Sequence, residues 1–103
     1  MGDSETEYIV ELQPKITARL EELGFAGSGK DLLAHSLAEI ASRSRTLDEH
    51  ALPLFLSLNS ERRSGLAEVT IALKNHLEAM QDAITDARPA LNALVEHLLR
   101  DEP

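Results

Sequence analysis

The longest regular pattern in the chain is an apolar seam near its C-terminal end. Leu66, Thr70, Leu73, Leu77, Met80, Ile84, Ala87, Leu91, Leu94 and Leu98 follow one another at alternating steps of four and three. That alternation keeps one stripe of an α-helix facing a partner, and a strand, with its period of two, does not produce it. The chain therefore holds a long C-terminal helix that must lie against other helices. Val69, Ile71, Val95 and Leu99 widen the stripe, which suits a bundle better than a two-stranded rod. Pro89 interrupts the run without breaking its phase, so two nearly collinear segments are expected, with Asp86 as a cap for the second.

The rest of the chain also reads as helix. Leu and Ala dominate, and no segment alternates in the manner of a strand. Ile9, Leu12, Ile16, Leu20 and Leu23 define a first helix over roughly Glu5 to Leu23, with a kink expected at Pro14. Gly24 can take the left-handed conformation that ends a helix, and Phe25 is then placed to pack back on Leu20. Ser28 is a suitable N-cap for a second helix, with Asp31 in its first turn. Leu33, Leu37, Ile40 and Ala41 form that helix's apolar stripe, and Arg43 and Arg45 stand at its end. Thr46-Leu47-Asp48-Glu49 has the form of a capping box and predicts a separate third helix. Pro53 keeps that helix short or bent, and Leu54-Phe55-Leu56-Ser57-Leu58 is unusually apolar. A fourth helix is expected from Asn59 or Ser60 onward.

At 103 residues the chain has the size of one domain. Acidic residues number 18 against 10 basic, for a net charge of −8. A surface of that sign repels phosphate backbones, which argues against nucleic-acid binding. There is no cysteine, hence no disulfide, thiolate metal site or cysteine nucleophile. No apolar run approaches the length of a membrane span. The start, Met1-Gly2-Asp3-Ser4-Glu5, lacks the basic and apolar segments of a signal peptide, so a cytoplasmic location is expected.

Four features invite a chemical reading. Gly24-Phe25-Ala26-Gly27-Ser28-Gly29-Lys30-Asp31 has the glycine and lysine spacing of a phosphate-binding loop. Asp31, however, replaces the hydroxyl residue that would hold magnesium, and a helix rather than a strand precedes it. Two helix ends and a turn explain the same residues. The histidines His35, His50, His76 and His97 lack helical metal-site spacing. His76 and Met80, one turn apart, could ligate a haem in a bundle, although Met80 is more simply core. Arg43, Arg45, Arg62 and Arg63 bracket the third helix and form the one basic concentration, a docking patch for an acidic partner or ordinary helix-end charge. A helix-turn-helix over Leu32 to Leu56 fits by length but meets Pro53 and the net charge.

Ala34-His35-Ser36-Leu37 resembles the start of the histidine phosphotransfer signature, Ala-His-x-Leu-Lys-Gly. The resemblance covers about four residues. It implies an acidic four-helix bundle that carries a phosphoryl group on His35. Ala38 stands where that family has lysine and Glu39 where it has glycine. A carboxylate at that position repels a phosphohistidine.

These readings converge on an all-α single domain spanning residues 1–103: an up-and-down bundle of about four helices with a long C-terminal helix, which dimerisation can complete. The expected function is a non-catalytic, cofactor-free interaction module that meets a second copy or another helical protein. Phe55, Leu58, Leu73, Leu77, Met80 and Ile84 are its expected interface. The alternatives are phosphotransfer through His35 and a ligand- or haem-binding bundle.

Overall fold

The structure, a computed structural model, describes residues 4–25 and 29–100. It is all-α, with no strand among the described residues. Helix α1 spans Ser4–Glu22, α2 Gly29–Thr46, α3 Leu52–Ser57 and α4 Arg63–Arg100, with a π-helical turn at Leu47–Ala51. Neither Pro14 nor Pro89 ends its helix. Both prolines are exposed, as are Val10 and Thr85 four residues before them. A carbonyl deprived of its donor on such a turn is open to water, which lowers the cost of an interior proline.

The second and third helices are not separate. Thr46 keeps helical angles (φ −62°, ψ −41°) and its side chain caps nothing. The Leu52 N–H bonds to the Leu47 carbonyl, five residues back. The capping box expected at Thr46 is therefore overruled, and α2, the π turn and α3 form one rod ~43 Å long. Pro53 supplies the physical reason. Its ring would press on the carbonyl of Glu49 in a regular α-helix, and a wider turn just ahead relieves that contact. The described residues thus make three rods rather than four.

The ends of these rods follow local rules. Gly24 has φ +77°. The Phe25 N–H bonds to the Leu20 carbonyl and the Gly24 N–H to the Glu21 carbonyl, each at 2.9 Å. This is the left-handed cap that the sequence predicts, with Phe25 packed near Leu20. The expected cap at Ser28 lies outside the described residues. Between α3 and α4, Asn59 makes the turn: its side-chain oxygen accepts from the Glu61 N–H at 2.9 Å and its carbonyl from the Arg62 N–H at 2.9 Å. The fourth helix accordingly starts at Arg63, later than Asn59 or Ser60.

The α2 rod lies between the other two, and α1 and α4 make no close backbone approach to each other. Tyr8 beneath Arg45, Gln13 beside His35 and Glu21 beside Lys30 align α1 antiparallel to α2. Gly29 beside Ala90 and Arg43 beside His76 align α2 antiparallel to α4. The core is small. Leu20, Leu33, Ala34, Ala87 and Ala90 form it, with Ile16, Phe25, Leu37 and Leu94 packed around them. The molecule is elongated, 62 × 28 × 21 Å, with a radius of gyration of 17.3 Å. A compact domain of this length would have a radius near ~13 Å.

Candidate interaction surface

The inward row of α4 is not the one the seam predicts. Residues that are buried or half-buried run Leu66, Val69, Leu73, His76, Met80, Ala83, Ala87, Ala90, Leu94 and His97. This row also steps by four and three. It shares Leu66, Leu73, Met80, Ala87 and Leu94 with the expected seam and replaces Thr70, Leu77, Ile84, Leu91 and Leu98 with Val69, His76, Ala83, Ala90 and His97. Small side chains are the physical reason for the switch. A Cβ added at Gly29 would lie 3.7 Å from the Ala90 Cβ, so the two backbones come close there. A leucine at position 83 or 90 would hold them apart. On α2 the buried positions are small as well: Ala34, Ser36, Ala38 and Ser42 join Leu33, while Leu37, Ile40 and Ala41 are only half-buried.

The two histidines fit this row because each has a polar partner. The His76 Nε2 hydrogen-bonds to the Arg43 carbonyl on α2. The His97 Nε2 bonds to the Leu23 carbonyl at 2.9 Å and meets the Phe25 ring edge-on, centroids 6.0 Å apart. An imidazole at a helix contact is tolerated when its N–H reaches an acceptor.

What the small seam displaces appears on the flank. Leu77, Ile84, Leu91 and Leu98 recur every seven residues and are 38–53% exposed. They make an apolar row ~32 Å long on one helix. Their outer neighbours, three residues before or four after each, are Lys74, Gln81, Arg88 and Val95. None of these four is a carboxylate, although Lys74 pairs with Glu78 at 3.9 Å; Glu102, four after Leu98, lies outside the described residues. Val95 and Leu99 extend the apolar surface. A second exposed apolar stretch lies on α3, where Leu52, Leu54, Phe55 and Leu56 all face outward and Leu56 is 78% exposed.

Of the six expected interface residues, Phe55, Leu77 and Ile84 are exposed, whereas Leu58, Leu73 and Met80 are half-buried. Leu58 lies against Gly65 at the α3–α4 turn, and Leu73 and Met80 belong to the inward row of α4. Leu91 and Leu98 belong beside Leu77 and Ile84. The seven-residue spacing could have singled them out.

The other sequence features find plainer settings. His35 is exposed; its Nδ1 lies 3.2 Å from Gln13 Oε1 and its Nε2 3.7 Å from Glu39 Oε2. Of the four basic residues that bracket the third helix, Arg43 pairs with Glu39 at 3.1 Å and Arg45 with Glu49 at 3.2 Å, and Arg62 and Arg63 are exposed where α4 begins. No group of three metal-ligating side chains occurs among the described residues. Of the loop with phosphate-binding spacing, Gly24 ends α1, Gly29 and Asp31 lie in the first turn of α2 and Lys30 pairs with Glu21 at 3.0 Å, while residues 26–28 lie outside the described residues. A groove of about 360 Å³ on α1 is lined by Val10, Gln13, Pro14, Thr17, Ala18 and Glu21. All six belong to one helix, so this is a depression in a helix face rather than an enclosed site. Among the described residues no helix is long and apolar enough to cross a membrane. Comparison with protein-family models, with curated proteins and with solved structures finds no match to this chain.

Proposed function

We propose that this chain is a helical protein–protein interaction module, without catalytic chemistry of its own, that receives a helical partner on the outer flank of α4. One observation carries the reading. Four large apolar side chains at one heptad position, Leu77, Ile84, Leu91 and Leu98, stay partly exposed while alanines occupy the middle of the inner seam. An extended apolar surface of this kind marks an interaction site, and heptad spacing suits a helix as the partner. A partner rod laid along the row would give the four-helix arrangement that three rods leave incomplete. A cytoplasmic setting fits the cysteine-free, acidic composition.

The test reads solution mass and oxidative side-chain footprint on the same sample. A monomer with a reactive row upholds the reading, as does an oligomer with a protected row. A monomer with a protected row would mean that these leucines are core. An oligomer with a reactive row would mean that association lies elsewhere. Either result removes the proposal.

Phosphotransfer at His35 is the second reading. Exposure of the imidazole favours it, and the Glu39 carboxylate at 3.7 Å from Nε2 opposes it. Incubation with a phosphorylated response regulator should leave an acid-labile label on His35 if it holds. An unlabelled chain removes it.

A further inference from the structure

We draw no further inference here: the strongest candidate, the α3–α4 corner where Leu54, Phe55 and Leu56 stand exposed beside Arg62 and Arg63, is an unpartnered apolar face, and nothing in the structure shows what covers it.

Discussion

The side of α4 that meets α2 is lined at its middle by Ala83, Ala87 and Ala90, whereas the flank beside it carries Leu77, Ile84, Leu91 and Leu98. A compact monomer usually has the reverse, with large apolar side chains inside and small or polar ones outside. Close contact and area burial are separate contributions to stability. Alanines let two helices approach and gain dispersion contacts, but each removes little apolar surface from water. The seam therefore sets the distance between α2 and α4, while large apolar side chains of α4 remain exposed on the flank.

Substitutions can break or sharpen this contrast. The largest effect should come from Leu33→Ala, since Leu33 is fully buried at the centre of the core. We expect a loss of ~3 kcal/mol in urea unfolding, and a loss below about 1 kcal/mol would mean that the core lies elsewhere. Ala87→Leu should cost ~2 kcal/mol by overpacking the close approach of α4 to its neighbours. A neutral result in the same assay would show that the seam has room and that its small residues are incidental. Gly24→Ala should cost about 1 kcal/mol, because φ +77° strains any side chain there. The thermal midpoint reports this loss directly. The smallest change belongs to the flank. Leu91→Ala should alter chain stability by no more than ~0.5 kcal/mol. A cost comparable to that of Leu33→Ala would move Leu91 from the flank to the core and erase the contrast.

Much of this architecture was legible from residues alone, and the failures have physical causes. Helix as the material of the chain follows from periodicity. The cap at Gly24 follows from a rule that involves only its neighbours. The face of α4 that turns inward did not follow. Two heptad rows share Leu66, Leu73, Met80, Ala87 and Leu94, and a choice by hydrophobicity favours the one with leucines. The fold takes the row with alanines and histidines, because close approach and two acceptor carbonyls decide it, and both belong to the neighbouring rods. The single rod from Gly29 to Ser57 was hidden for a similar reason. Thr46 to Glu49 spells a helix start, and Pro53 spells a stop. A π turn, for which we recognise no sequence signature, reconciles the helix with its proline. Of the residues expected at an interface, Phe55, Leu77 and Ile84 are exposed and Leu58, Leu73 and Met80 are half-buried, because the inward row of α4 is decided by its neighbours.

His76 and His97 stand three heptads apart on α4 at the same heptad position. Alanine seams are smooth, and two smooth helices can slide by a heptad and still present small residues to each other. The imidazoles remove that freedom. One reads a carbonyl on α2 and the other a carbonyl at the end of α1, so a slip of seven residues forfeits both bonds at once. Together they work as a vernier, two marks that coincide in a single alignment of the three rods. Any surface built along α4, including the row of leucines, inherits its position along the molecule from that alignment.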